Sequence, residues 1–292
     1  MDKPSETTSR LRGAKPAKLA EEPHDRHAPA TAYRDDSFMT SPDARSIRIL
    51  AEYLEPWQRF QKHRIEDTIV FFGSARIVSR EEAEAALKAA KKNGGDLEQA
   101  ELRLELSTYY EATRELAARL TEWSKGLSAK GRRFVICSGG GPGIMEAANR
   151  GASEAKGINT GLNISLPFEQ MENPYITREL MFQFHYFFMR KFWFTYLAKA
   201  VVVMPGGFGT LDELFEALTL VQTGKIRKHM PIVLFGSHYW SEVINWTALE
   251  RYGTISASDL GLFFRTDSVD EAFDYVTEQL SSYALSAPGA TL

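Results

Sequence analysis

Short apolar runs alternate with amphipathic stretches along most of the chain, and this pattern predicts strands that alternate with helices. Continuous apolar runs predict buried strands at 68–72, 134–138, 160–166, 181–186, 200–204, 231–235 and 262–264. Apolar spacings of three and four predict helices at 46–62, 81–129 (broken near Gly94-Gly95), 144–153, around 190, at 210–223, 240–251 and from 269. Strands without polar alternation are typical of a parallel sheet covered on both faces. We therefore expect an α/β fold, a Rossmann-like doubly wound parallel sheet with an N-terminal helical extension.

The two ends of the chain differ in composition from its centre. Residues 1–42 are rich in Pro, Ser, Thr, Ala and charged residues, with hardly any aliphatic ones. Such a segment cannot bury enough apolar surface to offset the entropy lost on folding, so we expect a disordered tail there. A second flexible tail is expected over 284–292. The residues between, 43–283, are expected to form a single domain with a helical insertion at 80–129.

Charge and composition exclude several classes of protein. A formal net charge of −3 gives no reason to expect a nucleic-acid partner or an anionic membrane surface. No apolar run reaches the ~18 residues that a membrane span needs, and the N-terminus lacks the apolar core of a signal peptide. The single cysteine, Cys137, allows no internal disulfide and is expected to be a small buried hydrophobe. These features favour a cytoplasmic location.

Glycine-bearing loops follow three of the predicted strands: Gly73-Ser74-Ala75-Arg76, Ser138-Gly139-Gly140-Gly141-Pro142-Gly143 and Pro205-Gly206-Gly207-Phe208-Gly209-Thr210. The carboxyl ends of parallel strands share one edge of the sheet, where such folds bind their ligands. A helix that begins after such a loop offers backbone N–H groups and a positive dipole end to a phosphate. We therefore expect the three loops to converge on one phosphate site. A tight turn without a ligand is the alternative for 138–143.

The glycine spacing excludes two common nucleotide motifs. A G-x-G-x-x-G pattern within 138–143 would place its last glycine at Ile144 or Glu146, so the dinucleotide fingerprint is absent. Gly224-Lys225 lacks both the leading glycine and the following Ser or Thr of a P-loop. No cluster of His, Cys, Asp or Glu has the spacing of metal ligands. We expect no NAD, no metal and no other cofactor.

Glu213 lies one helical turn beyond the third loop, and two interpretations compete for it. Thr210 is suited to an N-cap with Glu213 at N3, so the pair could form a capping box that needs no ligand. The helical spacing predicts that Glu213 lies off the buried face, which is formed by Leu211, Leu214, Phe215 and Leu218. Capping does not explain the glycines upstream, so a role in the site is favoured.

A cationic pair, Arg190-Lys191, stands among aromatic residues at 187–194. Partly buried charges need a partner, and a phosphate or the Glu213 carboxylate would serve. The alternative is a pair with buried stems and charged ends in solvent. Lesser candidates for the site are Arg76, Glu146, Asn149 and His185.

With these motifs the chain resembles the Lonely guy (LOG) family of nucleoside-monophosphate phosphoribohydrolases, whose members often carry the label lysine decarboxylase. The resemblance spans about 65–280. It rests on Pro205-Gly206-Gly207-x-Gly209-Thr210-x-x-Glu213, Arg190-Lys191, Gly139-Gly140-Gly141 and Gly73-Ser74. Phe188 stands where the short, plant-like members have His, and the sequence 186–191 is similar to that of the longer bacterial branch.

The resemblance implies a homodimeric hydrolase that cleaves the N-glycosidic bond of a purine nucleoside 5′-monophosphate. The substrate would be AMP or a cytokinin riboside 5′-monophosphate, and the products a free base and ribose 5-phosphate. Arg190 and Glu213 match the catalytic pair. The phosphate-side motif is matched by Lys191, Gly206, Gly207, Gly209 and Thr210, and further substrate-binding candidates are Gly73, Ser74, Gly139, Gly140 and Gly141.

Two other functions remain open from the residues alone. A non-catalytic nucleotide sensor, or a carrier of a phosphorylated pterin cofactor, would keep the glycine loops but would not need Arg190 and Glu213 as a pair. A scaffold built around a long helix at 97–127 does not account for the loops. A decarboxylase is disfavoured because no lysine lies in a motif typical of a pyridoxal Schiff base.

Overall fold

The computed structural model describes residues 31–127, 130–166 and 173–289. The described residues before Arg48 form one unit, and those from Arg48 onward form another. The strands are β1 Thr68–Phe72, β2 Val135–Ser138, β3 Asn159–Ile164, β4 Met181–Phe184, β5 Ala198–Val203, β6 Ile232–Phe235 and β7 Phe264–Thr266. The helices are α1 Asp36–Met39, α2 Arg45–Lys62, α3 Arg80–Asn93, α4 Leu97–Lys125, α5 Ile144–Glu154, α6 Phe187–Leu197, α7 Phe208–Gln222, α8 Ser237–Val243, α9 Trp246–Arg251 and α10 Val269–Tyr283.

These strands form one parallel sheet in the order β4-β3-β2-β1-β5-β6-β7. The predicted Rossmann-like, doubly wound α/β fold is confirmed. The strand order reverses between β1 and β5. At such a switch point the connections leave in opposite directions, and a crevice opens outside the carboxyl ends of the two strands.

Alternate residues of each central strand pack into two different apolar layers, which explains why the strands show no polar alternation. On β1, Val70 and Phe72 belong to the layer that includes Trp193 of α6. Ile69 and Phe71 belong to the opposite layer, which includes Tyr110 of α4. Both faces of the central strands are therefore buried, and the ends of these strands remain accessible.

Several predicted boundaries differ from the structure. The predicted helix 240–251 is two helices, because the helical structure is interrupted at 244–245. Asn245 caps the second of them, α9, by accepting a hydrogen bond from Ala248 N at 2.9 Å. The predicted strand 262–264 lies at 264–266, after a 3-10 turn at 257–261. The region predicted as a helical insertion, 80–129, contains α3 and α4, which are separated at 94–96 near the predicted break; its residues 128–129 lie outside the described residues.

The predicted N-terminal tail falls mostly on residues 1–30, which lie outside the described residues. Within 31–44 the chain forms α1 and two 3-10 turns, at 32–34 and 42–44. At the other end, α10 ends at Tyr283; of the predicted flexible tail 284–292, residues 290–292 lie outside the described residues. Among the described helices, none combines the length and hydropathy needed to cross a membrane.

Candidate active site

The three glycine-bearing loops meet at the carboxyl ends of β1, β2 and β5. Ser74 N donates to Pro205 O at 3.0 Å, and Ser74 O accepts from Ile144 N at 3.0 Å. The loop after β1 is therefore bonded to both of the others. The sheet topology requires this meeting, because parallel strands end at the same edge.

Two glycines allow the loops to approach this closely. A Cβ on Gly206 would lie 2.2 Å from Thr210 Oγ1 and 2.9 Å from Ser74 N. Gly143 has φ of +70°, and a Cβ there would lie 2.4 Å from Ser74 O. Side chains at either position would push the loops apart, so the fold itself requires these glycines.

The loops border a cleft of about 750 Å³, a size typical of small-molecule sites. The predicted site residues that line it are Gly73, Ser74, Arg76, Gly139, Gly141, Arg190, Gly206, Gly207, Gly209, Thr210 and Glu213. Apolar and aromatic side chains complete the wall, among them Met145, Phe187, Phe194, Phe208 and Tyr239. The loops thus supply a backbone surface on one side and aromatic surface on the other.

Five predicted candidates are not in the cleft lining, namely Gly140, Glu146, Asn149, His185 and Lys191. Gly140 has φ of +74°, donates to Ser138 Oγ at 3.0 Å, and lies against Gly161 of β3. Its lack of a side chain serves the turn and its packing. The Lys191 Nζ lies 2.6 Å from Glu216 Oε2, 2.9 Å from Asp212 Oδ2 and 3.6 Å from Glu213 Oε2.

The ammonium of Lys191 therefore contacts carboxylates of α7. Burial alone would lower the pKa of Lys191, but the hydrogen bonds to Glu216 and Asp212, together with the negative charges of Glu213 and Glu216, outweigh burial and raise that pKa. Lys191 stays charged, and from outside the cleft its positive charge lowers the pKa of Glu213.

Helix α7 begins at Phe208, two residues earlier than predicted, and Gly207 is its N-cap. Thr210 is then at N3 and Glu213 at N6, so the capping-box interpretation is wrong. The N-cap residues of α5 and α7, Gly143 and Gly207, make no side-chain capping bond, and the same holds for the N-cap residues of α6 and α8. By contrast, side chains cap α3, α4, α9 and α10, namely those of Ser79, Asp96, Asn245 and Ser268. The first amides of α7 are left to a ligand.

The buried face of α7 also differs from the prediction. Thr210, Glu213, Leu214, Ala217 and Leu218 are buried, whereas Phe215 is 40 % exposed. Glu213 therefore lies on the buried face. The physical reason is that this face of α7 meets the cationic pair of α6, which supplies partners for the carboxylate.

Glu213 and Arg190 face each other from α7 and α6. Glu213 Oε1 lies 3.8 Å from Arg190 Nη2, with side-chain exposures of 7 % and 16 %, and this distance is too long for a hydrogen bond. Glu213 Oε1 and Arg190 Nε are buried and lack a hydrogen-bond partner among the described residues. Unsatisfied buried polar atoms are costly, and at a cleft they point to a ligand or water as the missing partner.

Burial shifts the titration of both groups. It raises the pKa of Glu213 from 4.5 to about 7, although the positive charges of Lys191 and Arg190 oppose the shift. Burial lowers the pKa of Arg190, while the charge of Glu213 opposes that change. A guanidinium remains charged even so, but Glu213 can exchange a proton near neutral pH.

Some residues that shape the site were missed or underestimated in the sequence. Asn149 Oδ1 accepts from Ser138 Oγ at 2.6 Å and from Asn173 Nδ2 at 3.0 Å, so Asn149 supports the second loop from behind. Tyr239 donates to Gly206 O at 2.8 Å and lines the cleft. The only signal for Tyr239 was its position shortly after β6, at the same sheet edge. Among the described residues, no group of His, Cys, Asp and Glu side chains is arranged to hold a metal ion.

Comparison with solved structures finds similar chains of low identity. The structure of TM1055, a structural-genomics target, is 20% identical over 73% of this chain and 99% of its own, with a TM-score of 0.44. A Moco carrier protein from Chlamydomonas reinhardtii is 17% identical over 74% of this chain and 99% of its own, with a TM-score of 0.40. A molybdenum cofactor binding protein from Rippkaea orientalis is 17% identical over 59% of this chain and 87% of its own, with a TM-score of 0.38.

Comparison at the level of sequence gives one family and no curated relative. No curated protein matches the chain. The sequence profile of the family described as "Possible lysine decarboxylase" matches residues 145–276, a little under half of the chain. Over that span, which runs from the start of α5 into α10 and includes Arg190 and Glu213, the chain is similar to this family.

Proposed function

We propose that the protein hydrolyses the N-glycosidic bond of a purine nucleoside 5′-monophosphate, either AMP or a cytokinin riboside 5′-monophosphate. The products are the free base and ribose 5-phosphate. One observation carries the proposal: the buried carboxylate of Glu213, with an oxygen that has no partner, shares a cleft with the uncapped N-terminus of α7. The profile match supports it, because members of the LOG family often carry the same label.

The phosphate binds at the start of α7. A Cβ on Gly207 or on Gly209 would meet no described atom within 4 Å, so packing does not require glycine there. A bare backbone lets an anion approach the amides directly, at the positive end of the helix dipole. Ser74, next to Gly206 in the same cleft, offers a hydroxyl to the same anion.

Glu213 acts on the ribose. It lies six residues beyond the N-cap Gly207, or about 9 Å along the helix axis at 1.5 Å per residue. That separation suits a ligand whose phosphate is at the helix start and whose anomeric carbon is beside the carboxylate. Cleavage builds positive charge on the sugar ring, and the ionised Glu213 stabilises that charge and orients the attacking water.

Arg190 has an electrostatic and positioning role toward the substrate. Its guanidinium lies 5.1 Å from the ring centroid of Phe187 and 5.6 Å from that of Phe194, so two aromatic rings restrict its position. A guanidinium is a poor proton donor, since its pKa exceeds ~12. The proton that the leaving base takes up comes from another source.

A non-catalytic carrier of a nucleotide or phosphorylated cofactor is the second candidate. The three glycine-bearing loops would bind the phosphate of such a ligand equally well. A carrier has no need of a buried carboxylate with a pKa near neutrality beside a buried arginine, and this pair favours hydrolysis.

The decisive experiment is a base-release assay. Purified protein is incubated with AMP, GMP, CMP, UMP and a cytokinin riboside 5′-monophosphate, and free base is measured by chromatography. Release of a purine base by the wild type but not by a Glu213→Gln variant supports the proposal. Tight binding of a nucleotide without release by the wild type would support the carrier instead. The cytoplasmic location and the homodimer stay predictions, and size-exclusion chromatography with light scattering tests the dimer.

A further inference from the structure

A second carboxylate, Glu52 of α2, contacts the helix that carries Arg190. Glu52 Oε1 accepts a hydrogen bond from His185 N at 2.8 Å, and Glu52 Oε2 accepts one from Tyr186 N at 3.2 Å. These amides immediately precede α6, whose N-cap Tyr186 makes no side-chain capping bond. Glu52 thus satisfies backbone donors at the start of α6 and places a negative charge at the positive end of its dipole.

Hydrogen bonds connect Glu52 to Arg190 through one residue. Tyr186 N donates to Glu52, and Tyr186 O accepts from Arg190 N at 3.2 Å. Further along α6, Trp193 Nε1 donates to Glu52 O at 2.9 Å. The side chain and the main chain of Glu52 therefore hold α6 on both sides of Arg190.

The ring contacts between α2 and α6 are less directional than these hydrogen bonds. Tyr53 and Trp57 stack on Trp193, with ring centroids 5.9 and 6.3 Å apart. Stacked rings fix the spacing of two helices but tolerate sliding along the ring planes. The bonds to Glu52 fix the position of α6 along its own axis.

Arg190 depends on this support because its own head group makes few bonds. Arg190 Nε has no hydrogen-bond partner among the described residues, and Nη2 is 3.8 Å from Glu213 Oε1. The backbone of α6 therefore decides where the guanidinium lies. We propose that Glu52 is a positioning residue, which fixes the first turn of α6 and thereby places Arg190 opposite Glu213. That Glu52 fixes the first turn of α6 does not depend on the proposed function, whereas the effect of Glu52 on kcat rests on that function.

The test compares Glu52→Gln with a matched control, Glu55→Gln. A glutamine at 52 keeps one acceptor oxygen and replaces the other by a donor, so one bond to α6 is lost. Glu55 lies on the same helix and pairs with Arg59. Amide hydrogen exchange of the peptide covering 185–190 is measured without substrate. We expect exchange at least about tenfold faster in Glu52→Gln and unchanged in Glu55→Gln; equal exchange in Glu52→Gln and wild type would overturn the proposal.

A double-mutant cycle then separates positioning from a merely structural effect. We expect Glu52→Gln to lower kcat for base release from AMP about tenfold to a hundredfold, with KM within about a factor of two, since small displacements of a catalytic group cost this much. In an Arg190→Ala background the same substitution should cost nothing further. An equal loss in both backgrounds would overturn the proposal.

Two further outcomes remain interpretable. If wild-type protein releases no base from any nucleotide, the proposed function fails, while the exchange result still decides whether Glu52 orders α6. If Glu52→Gln does not fold, Glu52→Asp replaces it. The aspartate keeps the charge but shortens the side chain by one methylene, and faster exchange of 185–190 is again expected.

Discussion

Glu213 Oε1 and Arg190 Nη2 lie 3.8 Å apart in a buried part of the cleft, close enough to attract each other but too far for a hydrogen bond. Glu213 Oε1 has no partner among the described residues. A ligand or a water that reaches this oxygen would satisfy it, whereas a short ion pair with Arg190 would occupy it. The geometry therefore keeps the carboxylate available to a ligand or a water.

Glu213→Gln should abolish most base release while AMP still binds. The amide cannot carry the negative charge that stabilises the sugar cation, and loss of one such contact typically costs about 10²–10³ in rate. Single-turnover release of adenine and calorimetric binding of AMP check this. Glu216→Gln is the control, because that carboxylate lies on the same helix and contacts Lys191. A Glu213→Gln variant with more than about a tenth of the wild-type rate, a change under ~1.4 kcal/mol in barrier, would remove Glu213 from the reaction.

Base release should rise with pH and level off above the pKa of Glu213, which is about 7. The reason is that only the ionised carboxylate stabilises the sugar cation, and its fraction grows as pH passes through that value. The profile of kcat/KM for AMP between pH 5 and pH 9 measures this. A rate that falls over pH 6 to 8 would mean that the protonated acid is the active form.

Glu213 should also make folding less favourable as pH rises. Its pKa is 4.5 when unfolded and about 7 when folded, so between these values the native state holds a proton that the unfolded state has lost. The free energy of unfolding therefore falls across pH 4.5 to 7, by an amount on the order of 3 kcal/mol for this group. Urea unfolding at pH 5 and pH 8 measures this. Relative to wild type, the free energy of unfolding of Glu213→Gln should be higher at pH 8 than at pH 5. A stability difference that does not change with pH would contradict the shifted pKa.

Lys191→Met should move the pH profile to higher pH and leave AMP binding nearly unchanged. Lys191 Nζ is 3.6 Å from Glu213 Oε2 and lies outside the cleft lining. Its positive charge lowers the pKa of Glu213, so its removal raises that pKa further. The same kcat/KM profile measures the shift. A large rise in KM for AMP with an unchanged pH profile would instead favour Lys191 as a phosphate ligand, as the sequence motif suggested.

Two alanine substitutions in the third loop should affect different properties, the first stability and the second AMP binding. Gly206→Ala is expected to destabilise the fold by about 1–3 kcal/mol, because its Cβ would meet Thr210 Oγ1 at 2.2 Å. Gly207→Ala has open space around its Cβ, so its stability should change by less than ~1 kcal/mol. Gly207→Ala should nevertheless weaken AMP binding at least about tenfold by obstructing the phosphate. Urea unfolding and calorimetry separate the two effects, and unimpaired AMP binding by Gly207→Ala would place the phosphate elsewhere.

Much of the candidate site could be predicted because it depends on topology. Continuous apolar runs predicted the parallel sheet, and glycines after β1, β2 and β5 predicted loops at one edge. Parallel strands must end at the same edge, so no long-range contact had to be known. The cleft lined by Gly73, Gly139 and Gly206 follows from this.

The tertiary structure alone decided which way the side chains face. Periodicity shows which residues share a face of α7, but the face that becomes buried depends on what packs against it, and here the cations of α6 select Glu213. The same holds for Lys191, which sits one residue from Arg190 but about 100° around the helix, and so contacts carboxylates instead of the cleft. The bond from Glu52 to Tyr186 joins residues 134 positions apart. Local sequence carries no signal for such a contact, because only the packing of distant helices creates it.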